Sequence, residues 1–310
     1  MRRYLLKRLL EIIPNTFGIL LLCFALFHLV GGSPAEAILG QHATAESIAA
    51  FNRKYGYDKP LIFSADSQFV HYLGSLARGD FGVSTESGLP VLQVLKNGVG
   101  ASLSLTVPIL LLGVLAGLPL ALWCAARRQG RADRAVLLGS TVLMSVNYVI
   151  WIILGQYLLA FRLKLFPVWG FEHLGFLLLP VLIGTFSGLG RDVRFYRAAL
   201  LDEIYKPYVR TATAKGLHPL TILLRHVLPN ALIPILTYIS QSIPFLFTGS
   251  LLLESFFGIP GLGSVSLNAI HSSDMAVVRA VVIIGALLYQ FVNLATDLLY
   301  ARLDPRVRLT

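Results

Sequence analysis

Six stretches of this chain, near 9–30, 101–125, 135–160, 174–190, 231–253 and 276–299, are apolar and long enough to cross a hydrocarbon core of about 30 Å. A bilayer interior gives the backbone no water to bond, so each stretch has to be helical. Only 14% of the 310 residues are charged and the mean hydropathy is +0.71, whereas a soluble domain carries about 25% charged residues. The expected fold class is all-α, a polytopic membrane protein with six transmembrane helices.

The basic start, MRRYLLKRLL, is like a secretory n-region, but the apolar run after it is too long and lacks a small-residue cleavage site, so it reads as a retained first span. Six spans put both termini on one side. That side carries 18 Lys and Arg against 8 on the other, and five of those eight lie in the long 31–100 segment, where the charge rule is weak; without it the contrast is 18 to 3. Cytoplasmic termini are therefore expected. The net charge of +10 reports topology and attraction to lipid headgroups, and points to no nucleic acid. The chain divides into 1–30 (cytosolic N-terminus and first span), 31–100 (external, periplasmic helical insertion), 101–300 (transmembrane core with a cytosolic hairpin at 202–229) and 301–310 (cytosolic tail).

In the external insertion, Thr44 suits an N-cap, Ile48, Phe51 and Tyr55 share a face, and Gly56 reads as a stop. A second helix is expected from Asp66, with Phe69, Tyr72, Leu73 and Leu76 aligned. The pair is either a packed connector or a docking surface for a partner. On the other side, RTATAKGLHPLTILLRHVLPNALIP (210–234) reads as a helix from Asp202 to Lys215, a break at a left-handed Gly216, and a second helix from Pro219 at N1 to Leu228. Leu220, Leu223, Leu224 and Val227 make its apolar stripe, with Arg225 and His226 toward the other side. A hairpin with one apolar and one basic face belongs between two surfaces, the chain's own helices and a cytosolic partner.

This segment resembles the coupling motif of the membrane subunits of ATP-binding cassette importers, with Ala212, Gly216, Leu228 and Pro229 at the motif's spacing; Arg210 and Thr211 replace Glu-Ala, and His226 replaces Ile. KYGYDKPL (54–61), RGDFGVS (78–84), YVRTATAKGL (208–217), RHVLPNALIP (225–234), ESFFGIPGLG (254–263) and DPRVR (304–308) are similar, in order, to landmarks of the dipeptide/oligopeptide/nickel permease family, B-type half. The resemblance implies a type I importer permease fold in the bacterial inner membrane. It implies ATP-driven uptake of di- or oligopeptides by alternating access, with nickel complexes, opines or another small solute as alternative cargo. The implied partners are a homologous second permease in a heterodimer, two cytosolic ATPase subunits that bind ATP and Mg, and an external solute-binding protein. The chain itself would hold no cofactor and catalyse nothing. Contact with the ATPases is expected from Arg210, Ala212, Ala214, Lys215, Gly216, Leu217, His218, Leu228 and Pro229.

Other features yield weaker signals. Gly258, Pro260, Gly261 and Gly263 in GIPGLG read as a tight external turn; without Lys-Ser/Thr or a preceding strand it is no phosphate loop. Ala212, Gly216 and Ile222 also fit a DNA-binding helix-turn-helix spacing, but the membrane flanks would hold it against the bilayer. The seven histidines lack metal-ligand spacing, and Cys23 and Cys124 read as small buried hydrophobes. An intramembrane enzyme would need a Ser-His pair or facing carboxylates, and a channel a filter; neither pattern is present. Intramembrane polar residues are pathway candidates: Thr237, Ser240, Gln241 and Thr248 around Pro244, then Gln290, Asn293 and Asp297. Their alternative role is interhelical bonding. A pathway for a solvated peptide is expected to lack fixed charge. The topology makes a labelling prediction: cysteines introduced at 50 and 88 react with an impermeant thiol reagent outside intact cells, and those at 130 and 214 stay unlabelled. Labelling at 130 would invert the chain.

Overall fold

The computed structural model describes residues 2–30, 44–55, 58–61, 64, 66–248 and 250–303; Gly56 and the 304–308 segment lie outside them. Among the described residues the architecture is helical, with an isolated bridge between Val83 and Pro90 as extended pairing. Helix α1 (Arg2–Val30) lies along the last helix of the chain, Met275–Leu303, where the Thr16 hydroxyl donates to Gln290 Oε1 at 2.8 Å and the Gln290 amide donates to the Ile12 carbonyl at 3.2 Å.

The insertion carries α2 (Ala45–Tyr55), capped by Thr44, whose hydroxyl accepts the Ser47 N–H at 3.3 Å, and α3 (Gln68–Ala77). The latter begins two residues after Asp66 because Ser67 is its cap, accepting the Val70 N–H at 3.3 Å. Asp66 instead meets Lys59 and His71, each at 2.7 Å, and the Lys59 ammonium, then His71, holds its carboxyl below the usual range. Phe69 is buried against Phe17 and Phe24 of α1 at centroid distances of 5.5 and 5.2 Å, which seats the insertion on the first span.

Helix α4 (Val91–Ala126) begins ten residues before the expected 101, so the end of the 31–100 segment is part of a 36-residue helix whose first turns bury Val91 and Leu95. At 1.5 Å per residue it is about 54 Å long, well beyond the bilayer core. The expected third span is broken. α5 (Arg131–Ser145) and α6 (Tyr148–Gly155, widening into π turns over Gln156–Arg162) meet at 91°. Val146 is extended, and Asn147 restarts the helix by accepting the Val149 N–H at 2.9 Å. Among the described residues five helices pass as spans, six if the bent pair is one.

Helix α7 (Gly175–Ile204) runs past the expected end at 190 and packs along α4 and α5. Small residues make this approach close: a Cβ on Gly190 would lie 2.7 Å from the Ser140 carbonyl, and one on Gly117 3.2 Å from the Tyr196 ring. At one end of the bundle Arg197 of α7 forks onto Asp133 of α5, with Nε and Nη2 each donating at 2.7 Å to a carboxylate only 1% exposed. Removing one member of such a pair strands the other. Asp133→Ala is expected to destabilise the fold by about 3 kcal/mol, read as a lower melting temperature in detergent; an unchanged midpoint would rule the pair out as a structural tie.

Candidate functional site

The hairpin is built from α7 onward. Tyr205 and Lys206 break the helix expected from Asp202, and α8 (Pro207–Ala214) restarts with Pro207 in its first turn, where a missing N–H costs nothing. Buried Glu203 pins the elbow, accepting from Lys206 Nζ and from the Tyr208 hydroxyl at 2.7 Å. Burial first, and the Glu203 carboxylate after it, push the Tyr208 hydroxyl well above its ordinary range, so it stays a donor.

At the tip Gly216 has φ 75; its N–H donates to the Thr213 carbonyl at 2.9 Å and the Leu217 N–H to the Ala212 carbonyl at 3.4 Å, a Schellman closure. His218 then caps α9 (Pro219–Ile222), its Nδ1 accepting the Leu220 N–H at 3.3 Å. The second arm does not stop at Leu228. It widens to a π turn over Leu223–Val227 and continues as α10 (Leu228–Ser240), one helix from Pro219. Pro229 explains the widening, since it cannot donate to the carbonyl four residues back and its ring would clash there.

The π turn also shifts the expected stripe. Ile222, Leu223 and Val227 are buried with Val209 and Ala212 against α4 and α7, while Leu220 and Leu224 face outward, 53% and 44% exposed, beside Leu217 at 38%. Arg210, Ala214, Lys215, Gly216, His218 and Pro229 are exposed as well, Ala212 is buried and Leu228 half-buried.

At the opposite end of the bundle, α11 (Ile243–Thr248) and α12 (Leu251–Phe257) lead into the GIPGLG turn, followed by α13 (Leu262–His271) and α14 (Met275–Leu303). Gly258 ends α12 at φ 68, with a hypothetical Cβ 2.1 Å from the Trp169 ring. Glu254, fully buried, holds the turn: its carboxylate accepts from the Ser102 hydroxyl at 2.8 Å and from the Ser250 and Ser264 N–H groups at 3.0 Å. Gly261 and Gly263 leave room for it, as Cβ atoms there would come within 2.4 and 2.8 Å of Glu254 Oε2. Pro260 lies exposed within the turn.

Between α4, α5, α6, α7 and α10 a cavity of about 750 Å³ opens, and its polar wall includes Thr185, Arg191, Asp192, Tyr238 and Ser242. Of the expected pathway residues, Thr237, Ser240 and Gln241 do not line it. Thr237 and Ser240 donate to carbonyls of their own helix, those of Ile233 and Leu236, at 2.9 and 2.7 Å. Gln241 is exposed at the end of α10, and Thr248 closes α11. Nor is the wall free of charge: the Tyr238 hydroxyl donates to Asp192 Oδ1 at 2.7 Å, and Arg191 Nε stands 3.7 Å from the same oxygen. The expected end of the fourth span at 190 leaves Asp192 outside it; an acidic residue inside the longer α7 is the signal that marks it. Of the sixth-span candidates, Gln290 bonds α1. Among the described residues no group of His, Cys, Asp or Glu is placed to hold a metal ion.

Comparison with known proteins agrees with this architecture. Residues 117–309 match the family described as binding-protein-dependent transport system inner membrane component, and residues 1–106 match that system's N-terminal membrane component. The chain belongs to this family. It is similar to a probable peptide ABC transporter permease protein of Sinorhizobium fredii, 33% identical over 98% of this chain and 99% of that one. It is also similar to the glutathione transport system permease protein GsiC of Escherichia coli K12, 32% identical over 99% of each. Among solved structures, the inward-facing MetNI methionine ABC transporter shares the fold, with a TM-score of 0.57 and 18% identity over 69% of this chain and 97% of that one. This member is a multi-pass inner-membrane permease of an ABC importer, a transport subunit and not an enzyme, working with ATPase subunits and a substrate-binding protein.

The two left-handed glycines differ in surroundings. Gly216→Ala meets open space and is expected to cost about 1 kcal/mol of backbone strain, whereas Gly258→Ala also drives a methyl into Trp169 and is expected to cost more. Melting temperatures of the two variants rank them; equal losses would contradict the packing at Trp169.

Proposed function

We propose that this subunit imports small peptides by alternating access, with its termini and the 207–228 hairpin in the cytosol and the hairpin seated on an ATPase subunit. The observation that carries the reading is the hairpin's outer face, where Leu217, Leu220 and Leu224 stand exposed beside Arg210 and Arg225 on a closed turn. Exposed apolar side chains rimmed by charge mark a protein interface. Both arms are rooted: one leaves α7 at the Glu203 elbow, and the other is continuous with α10. A push on the turn therefore reaches two spans, one directly and one across the two-residue elbow at Tyr205 and Lys206. ATP and Mg belong to the ATPases, whose closure on nucleotide supplies the push. A second, homologous permease completes the pathway, and the external binding protein delivers cargo at the end marked by the GIPGLG turn.

Peptide cargo is supported by the relatives, one named for peptide and others for glutathione, itself a tripeptide. Mass spectrometry of the ligand carried by the purified complex with its binding protein is expected to find a peptide; a nickel chelate or an opine would replace this cargo while keeping the machinery. For coupling, Leu220→Asp and Gly216→Val are expected to leave insertion and permease pairing in place, and to weaken ATPase retention on purification at least tenfold, since each spoils a desolvated contact or the geometry that presents it. Normal ATPase retention with normal ATP-driven uptake in both variants would remove the hairpin from coupling.

A further inference from the structure

The charged corner of the cavity has a use beyond holding helices together. Asp192 spends one oxygen on Tyr238, while Oδ2 lies beside Gly113 and Gly188, two of the glycines that line the cavity; a Cβ on Gly113 would stand 3.3 Å from it and one on Gly188 3.8 Å. The rings of Tyr196 and Tyr238 line the same cavity and meet edge to face at 5.9 Å, and Tyr238 stacks on Phe195 at 4.3 Å, which fixes its position. A carboxylate oxygen reached past glycines and flanked by two tyrosine rings matches the chemistry that recognises an ammonium group, through a charge-assisted hydrogen bond and attraction to ring faces.

Two turns back along α7, on the same face, the Thr185 hydroxyl is buried in the cavity wall without a hydrogen-bond partner. The seven-residue separation is about 10 Å along a helix, the length of about three extended residues. A buried hydroxyl without a partner at that distance, turned into the cavity by rotation about its Cα–Cβ bond, suits a backbone amide of the same ligand. Arg191, 67% exposed at the rim and 3.7 Å from Oδ1, takes part of the carboxylate's charge. That tempers the attraction, and a conducting site has to release what it admits.

We infer that Asp192, within the Tyr196–Tyr238 corner, receives the free α-ammonium of a short peptide during its passage, with Thr185 bonding the peptide's backbone. This rests on the peptide reading above and adds a specificity-determining residue to it. The test uses the full complex with its binding protein in proteoliposomes, supplied outside with an equimolar mixture of random tripeptides and their N-acetylated counterparts; ATP-dependent accumulation of each class is quantified by mass spectrometry. Asp192→Asn keeps an acceptor for Tyr238 but loses the charge, and Gly113→Ala keeps the carboxylate but sets a methyl against Oδ2. Both are expected to lower the ratio of free-amino to acetylated peptide about tenfold relative to wild type, with Asp192→Glu recovering most of it. Wild-type complex that accumulates neither class overturns the peptide reading itself. Wild-type accumulation with an unchanged ratio in both variants, or an equal loss of both classes, overturns the ammonium site alone and leaves Asp192 as a tie between α7 and α10.

Discussion

A polar group set among apolar helices has to find its partner within the chain, because a bilayer interior supplies none. The rest of this structure follows from how strictly that is met. Glu254 has its carboxylate satisfied by a hydroxyl and two N–H groups from three segments, so the turn around it has one arrangement. Thr106 donates to the carbonyls of Ser102 and Leu246, across to the start of the broken region after α10. Asp133 and Arg197 close the other end. Satisfied groups fix the frame, while the Thr185 hydroxyl, which has no partner, and Asp192 Oδ2 stand on residues that line the same cavity.

Without water to drive apolar surfaces together, helix contact in lipid depends on close packing, which small residues permit. The α4–α7 seam shows this, with Gly117 receiving the Tyr196 ring and Gly184 receiving Ile109, whose Cδ1 would stand 2.6 Å from an added Cβ. α5 reaches α7 the same way at Gly190. α4 and α7 share one cluster around Tyr196 and Leu200, and the buried side of the hairpin is part of it, which ties the cytosolic device proposed above to the transmembrane frame.

Hydropathy made the spans legible because a bilayer requires long apolar runs, and the hairpin was legible because Gly216 and Pro219 each carry a local backbone rule. What was missed depends on non-local or subtle causes. The 91° bend at Val146–Asn147 sits inside an apolar run, where composition gives no sign of direction. The π turn before Pro229 rotated the apolar stripe, so Leu220 and Leu224 exchanged places with Ile222 on the buried face. Two of the expected pathway residues stand off the cavity for a different reason. Thr237 and Ser240 can satisfy themselves on the preceding turn of their own helix, so their polarity placed them nowhere in particular. Asp192 has no such option, and its partner comes from another span.

The positions of Asp192 and Tyr238 bear on how a push at the hairpin reaches cargo. Asp192 belongs to α7, the helix that enters the hairpin, and Tyr238 to α10, the helix that leaves it. From Leu228 to Tyr238 is ten residues of one helix, about 15 Å, with Pro234 inside it, and on the coupling proposed above this arm would carry a push to Tyr238. The first arm joins α7 across a two-residue elbow held by Glu203, a less direct connection. On the coupling proposed above, tilting the turn would displace α10 relative to α7 and act on the 2.7 Å bond between Tyr238 and Asp192. A nucleotide-driven change shifts a ligand equilibrium only where the two states differ in affinity for it. A carboxylate on one hairpin-bearing helix whose donor stands on the other would meet that requirement, which joins the proposed coupling to the proposed ammonium site.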